Sequence, residues 1–175
     1  YQDPVKDILS DRDFMAWLPL DFSDGAIEVS LSSVIAPDAP AFARGFIGIS
    51  FRIDDSGRFE SIYLRPANSR VDDQVRRNHT VQYVAFPEYT FARLRKEEPE
   101  KYESYVDLAL EQWIDMRIDV RGATARLFIN GQEQPSLIVS DLKLGERQRG
   151  GVGLWIETGT VGYFADLKID GKAVT

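Results

Sequence analysis

Apolar and polar residues alternate with a period of two through most of this 175-residue chain, and nothing else in the sequence restricts the fold as strongly. After the turn-forming Asp24-Gly25, Ile27-Glu28-Val29-Ser30-Leu31 alternates cleanly. Residues 46–53 set Ile47, Ile49, Phe51 and Ile53 on one face and Phe46, Gly48, Ser50 and Arg52 on the other. Asp54-Asp55-Ser56-Gly57 signals a hairpin, and the chain returns over 59–65 with Ile62 and Leu64 opposite Ser61, Tyr63 and Arg65. Further strands are expected at 80–86, 113–120, 125–129, 137–139, 152–157 and 163–169, with Asn130-Gly131 as a tight turn. Residues 66–78 read as a long polar loop. Pro87 and Pro99 confine 88–98 to an ordered surface loop with room for about one helical turn.

Ten or more short strands separated by turns predict an all-β, two-sheet antiparallel β-sandwich. A parallel α/β sheet needs crossover helices, for which the sequence has no room. One domain over 1–175 is expected, with 1–20 as an N-terminal extension packing on it; Trp17 sits there in the apolar patch 14–20.

Composition removes several function classes. The chain has no cysteine, which excludes thiol catalysis, thiolate metal sites and a disulfide framework. Its single histidine makes a zinc site, which needs about three protein ligands, a poor fit. A net charge of −7 opposes nucleic acid and anionic lipid as partners, and no apolar run is long enough to insert into a membrane. The chain opens on Tyr1-Gln2-Asp3 rather than Met, which suggests a processed form and an extracytoplasmic location, secreted, periplasmic or surface-attached.

The pattern Glu111-Gln112-Trp113, then Ala125-Arg126-Leu127-Phe128-Ile129-Asn130-Gly131, Gly151-Val152-Gly153-Leu154-Trp155 and Phe164-Ala165-Asp166-Leu167-Lys168-Ile169 resembles the concanavalin A-like lectin/glucanase superfamily in its laminin-G-like branch. Phe22-Ser23-Asp24-Gly25-Ala26-Ile27-Glu28-Val29 is similar to the opening strand of such domains. Within the superfamily the chain looks most similar to bacterial domains described as glycosyl hydrolases or as the 3-keto-disaccharide hydrolase domain. The resemblance implies a concanavalin-like jelly roll, export, and a ligand on the concave sheet or its edge loops. The Glu-x-Asp-x-x-Glu signature of the related glucanases is absent, and Phe59-Glu60-Ser61-Ile62 does not supply it.

The richest polar segment is 60–83. Sugar hydroxyls call for planar hydrogen-bonding groups and pyranose C–H faces for aromatic rings. Tyr63, Arg65, Asn68, Asp73, Gln74, Arg77, Gln82 and Tyr83 supply both, and Trp155 offers a further stacking face. The competing reading is that these residues only satisfy their own loop, and that Trp155 is an ordinary half-buried strand residue. Glu60 and His79 are the catalytic candidates, His79 because it titrates near neutrality. Glu60, Asp73, Glu103 and Glu157 are available carboxylates, but sequence spacing does not show which converge. Arg93, Arg95 and Lys96, followed by Glu97, Glu98, Glu100 and Lys101, read as a solvated surface. No cofactor is expected; calcium, a habit of the superfamily, has Asp54-Asp55-Ser56-Gly57 and Asp72-Asp73 as its only acidic clusters, the first better explained as a turn. Three readings stay open: a carbohydrate-binding lectin-like module for glycan capture or degradation, a hydrolase or lyase on a disaccharide or glycan, and a protein-interaction module.

Overall fold

A computed structural model describes residues 14–174. The strands are β1 (Phe14–Phe22), β2 (Gly25–Ile35), β3 (Ile47–Ile53), β4 (Phe59–Leu64), β5 (Val81–Phe86), β6 (Glu103–Ser104), β7 (Ile114–Arg121), β8 (Thr124–Ile129), β9 (Leu137–Val139), β10 (Gly150–Ile156), β11 (Thr160–Ile169) and β12 (Lys172–Ala173). Two short helices, α1 (Gln74–Asn78) and α2 (Phe91–Glu97), and a 3-10 turn (Pro66–Asn68) lie in the connections. Sheet A has the order β1-β10-β3-β4-β5-β6 and sheet B the order β12-β11-β2-β7-β8-β9, with antiparallel pairing throughout. The expected two-sheet sandwich is therefore the fold. Of the N-terminal extension expected over 1–20, residues 1–13 lie outside the described residues and the remainder is part of edge strand β1.

The core forms because the inward parities of the two sheets meet. Sheet A contributes Ile47, Ile49, Phe51, Ile62, Leu64, Val81 and Tyr83, and sheet B contributes Ile27, Val29, Leu31, Met116, Ile118 and Leu127, all at or near zero exposure. Each such aliphatic side chain contributes about 1.5–3 kcal/mol by leaving water. The two outer faces differ. In β7 every second residue is exposed or half-exposed, as in a sheet with one wet face. In β3 and β4 every residue is buried, so the middle of sheet A is covered on both faces.

Local chemistry explains two departures from the sequence reading. The stretch 88–98 is not only loop. Thr90 caps α2 by accepting from the Arg93 amide, which lets seven helical residues fit between the prolines. Arg52 does not point outward with Ser50. Its backbone sits at φ 54, and the β10–β3 register shifts beside it, which turns its side chain into the end of the sandwich. There the fully buried guanidinium donates to the carbonyls of Ser23, Gly122 and Gly145 and pairs with Asp24 at 3.1 Å.

Candidate functional site at the edge of sheet A

The outward parity of β4 continues into the next residue, so Ser61, Tyr63 and Arg65 share the outer face of sheet A. The register then sets Tyr63 against Gln82 and Gln82 against Glu103, a polar row across β4, β5 and β6. Arg65 ties this row together. Its Nη2 donates to the Tyr63 hydroxyl and to Gln82 Oε1, each at 3.1 Å. Its Nη1 donates to the His79 carbonyl at 2.9 Å and lies 3.4 Å from Glu103 Oε1. Phe46, Tyr63 and Phe91 surround the guanidinium at 4.9, 5.1 and 5.8 Å from their ring centroids. Only arginine's planar fork satisfies this many partners at once.

Glu103 receives a second guanidinium from Arg95, at 3.1 and 2.5 Å, and the His79 imidazole lies 3.6 Å away. Burial lowers the His79 pKa below its ordinary value; Glu103 opposes the shift, and Arg95 and Arg65 reinforce it. A cavity of about 410 Å3 opens over this cluster, walled by Val75, Asn78, His79, Glu100, Glu103, Ser104 and Tyr105. Tyr105 is 43% exposed, with the Arg77 guanidinium 5.3 Å from its ring centroid. Gln74 donates to Asn78 Oδ1 at 2.8 Å and so fixes the amide at the cavity wall.

The residues singled out from sequence separate into three groups. Tyr63, Arg65 and Gln82 form the buried backing of the cluster, while His79 lines the cavity and Arg77 flanks it. Asn68, Asp73 and Gln74 hold the loop instead: Asn68 accepts from Arg76, and Asp73 caps α1. Glu60 and Tyr83 belong to neither group, because they share the inward parity of Ile62. The Tyr83 hydroxyl donates to Glu60 Oε2 at 2.5 Å, and Leu144 N–H donates to Oε1 at 2.9 Å. Burial pushes the Glu60 carboxyl up, against these two hydrogen bonds, and pushes the Tyr83 hydroxyl up as well. Glu60 and His79 are thus not brought together. Trp155 does face outward, but it is 3% exposed and packs on Tyr63 at 4.7 Å.

Sequence reasoning passed over Arg95, Tyr105, Phe46 and Phe91, and named Glu103 only among the available carboxylates. Arg95 lies in the charge run read as solvated surface, yet it clamps Glu103. In the same run Glu98 and Lys101 join Asp141, Lys143 and Tyr102 in an ion-pair network.

Among the described residues, no group of three or more His, Asp or Glu side chains is arranged to hold a metal ion. The Asp54 hairpin does not fit calcium, because its carboxylate already accepts from Ser56, Arg58 and Gln148. Those bonds hold its pKa well below the usual carboxylate range despite the burial that would raise it.

No protein-family model matches the chain, and no curated protein matches its sequence. Solved structures do resemble it. A carbohydrate-binding module, CBM66, from Bacillus subtilis is 12% identical with a TM-score of 0.56, covering 94% of this chain and 87% of that one. The galectin LEC-6 of Caenorhabditis elegans is 10% identical at a TM-score of 0.52, covering 93% and 98%. A candidate glycosyl hydrolase from Parabacteroides distasonis is 12% identical at a TM-score of 0.57, covering 95% and 86%. Identity at this level speaks to fold, and the chain has the galectin-like, concanavalin-like β-sandwich fold.

Proposed function

We propose that the chain is a carbohydrate-binding, lectin-like module whose ligand enters the cavity beside His79. The observation that carries this reading is the preorganised row Tyr63–Gln82–Glu103, locked by Arg65 and Arg95 behind a cavity walled by an amide, an imidazole and a half-exposed phenol ring. Side chains already fixed by buried hydrogen bonds lose little entropy when they meet sugar hydroxyls. Asn78 supplies donors and an acceptor, His79 a donor or an acceptor, and Tyr105 a ring face for pyranose C–H groups. The fold supports the reading, because it is shared with a carbohydrate-binding module and a galectin.

Binding fits this site better than hydrolysis. A glycosidase needs two functional carboxylates about 5 Å or 6.5–9.5 Å apart. Of the two carboxylates that wall the cavity, Glu103 is neutralised by two guanidiniums, which leaves Glu100 without a functional partner, and Glu60 is committed to Tyr83 and Leu144 in the interior. In the same reading the module serves glycan capture or degradation in an exported protein. Nucleic acid is a poor partner for a chain of net charge −7, and no helix among the described residues is long and apolar enough to cross a membrane.

A glycan array followed by calorimetry tests the proposal. Tyr105→Ala and Asn78→Ala are expected to weaken binding about tenfold each with unchanged folding. Product release from any glycan, abolished by Glu103→Gln, would replace the lectin reading with the hydrolase one.

A further inference from the structure

The outer face of sheet B is open and carries a second arrangement suited to a ligand. Tyr163 pairs with Ser32 across β11 and β2, and Leu31 pairs with Ile114 across β2 and β7. The register therefore brings Trp113 beside Ser32 from the other side, and the backbone contact continues to Glu111 N–H, which donates to the Ser33 carbonyl at 2.9 Å. Trp113 and Tyr163 are 58% and 52% exposed, while the Ser32 between them is 7% exposed. The two aromatic residues thus share the outer face on strands two spacings, roughly 9.5 Å, apart. A pyranose stacks on such an exposed ring through carbon contacts of about 3.5–4.0 Å.

The aromatic pair is followed by hydrogen-bonding groups rather than apolar surface. The next outward residues on the same two strands are Ser30 and Asp115, whose side chains bond to each other at 2.6 Å. Beyond them a groove of about 570 Å3 runs past Arg117, Phe128, Gln132 and Glu133. Arg117 is held by a two-pronged pair with Asp119 at 2.7 and 2.8 Å and by the Phe128 ring. In this groove Glu28, Asp115, Glu133 and Asp166 outnumber Arg117 and Lys168, so hydroxyl donors are accepted and anionic groups repelled.

We infer that this face is a second carbohydrate site, taking a neutral oligosaccharide with one pyranose stacked on the Trp113 and Tyr163 pair and the following units along the groove. The inference rests on the sugar-binding reading above, but it uses the other sheet and none of the same residues. Polar groups extending from the aromatic pair favour a glycan over a protein partner, which would need a broader apolar core.

Calorimetric titration with cellohexaose, xylohexaose, maltohexaose and an anionic galacturonate hexamer tests it, using the wild type, Trp113→Ala, Tyr163→Ala and Tyr105→Ala. The two aromatic positions are exposed, so the variants are expected to keep the wild-type melting temperature. Trp113→Ala and Tyr163→Ala are expected to weaken binding of a neutral hexaose about tenfold, with a wild-type-like signal at this site surviving in Tyr105→Ala. Unchanged neutral-hexaose binding in both sheet-B variants, with loss only in Tyr105→Ala, overturns the second site and leaves the first standing. Binding of the anionic hexamer alone also overturns it. Self-association of the wild type that disappears in Trp113→Ala assigns the face to a protein contact and overturns it too. Failure to bind any of the four overturns this inference, and the array then decides whether the first reading survives.

Discussion

Trp155 and Tyr63 lie on strands separated by β3 and touch across it, ring centroids 4.7 Å apart, because the residue between them is Gly48. A Cβ on Gly48 would come within 2.4 Å of the Ile62 carbonyl and 2.5 Å of Tyr63 Cα, which are backbone atoms that cannot swing aside. The glycine is what lets an aromatic layer lie on sheet A and hold the Tyr63 hydroxyl under Arg65. Gly48→Val is expected to destabilise the protein by roughly 2 kcal/mol or more and to weaken ligand binding with it. Thermal and denaturant unfolding check this. Wild-type stability in the variant would mean that the strands separate more easily than their packing indicates.

The Arg65–Glu103 pair is buried, at 4% and 5% side-chain exposure. Arg65→Met leaves Glu103 to Arg95 alone and strips the Tyr63 hydroxyl, Gln82 Oε1 and the His79 carbonyl of their donor, so it is expected to cost about 1–3 kcal/mol. Glu103→Gln also strands Arg95 and is expected to be destabilising. The double variant Arg65→Met, Glu103→Gln is expected to cost less than the sum, because the Arg65–Glu103 contact is counted in both single variants and only Arg95 is then left without its carboxylate. Additive costs in a double-mutant cycle would show that the two do not act as a unit.

Two groups, Glu60 in the interior and the partly exposed His79, set opposing pH dependences. Burial raises Glu60 above 4.5 in the folded state, so the folded protein holds this proton more tightly than the unfolded chain. Its contribution is complete below about pH 4.5 and is lost as pH rises through the folded value. The His79 pKa is lowered below 6.5, so its contribution is present above that pH and is lost as pH falls. Each contributes a slope of up to roughly 1.4 kcal/mol per pH unit within its window. Glu60→Gln is expected to flatten the loss on the alkaline side, and His79→Asn the loss on the acid side. Urea titrations at pH 4 to 8 measure both, and an unchanged profile in either variant contradicts the corresponding assignment.

Alternation made the sandwich legible, because inward residues such as Ile47, Ile49, Ile62 and Leu64 must repeat every second position to close a two-layer core. The same parity places Glu60 inward with Ile62, opposite Tyr63 and Arg65. Choosing Glu60 as a catalytic candidate followed its chemistry and ignored that parity. Parity with Gly153 puts Trp155 on the outer face, but a sequence does not show which ring from a neighbouring strand will cover it. Glu103 stood only among the available carboxylates because β6 is two residues long, too short to show a period that would place it beside Gln82. Arg95 escaped notice because its partner lies on a different element, and a charge run read in one dimension looks solvated. Trp113 and Tyr163 come together only through the register on either side of β2.

Amide chemical-shift mapping during a titration with the best array ligand tests the central claim most directly. The account predicts that the largest changes fall on Asn78, His79, Ser104 and Tyr105, with saturation that Tyr105→Ala weakens about tenfold. Saturable binding that leaves these four amides unmoved would contradict it.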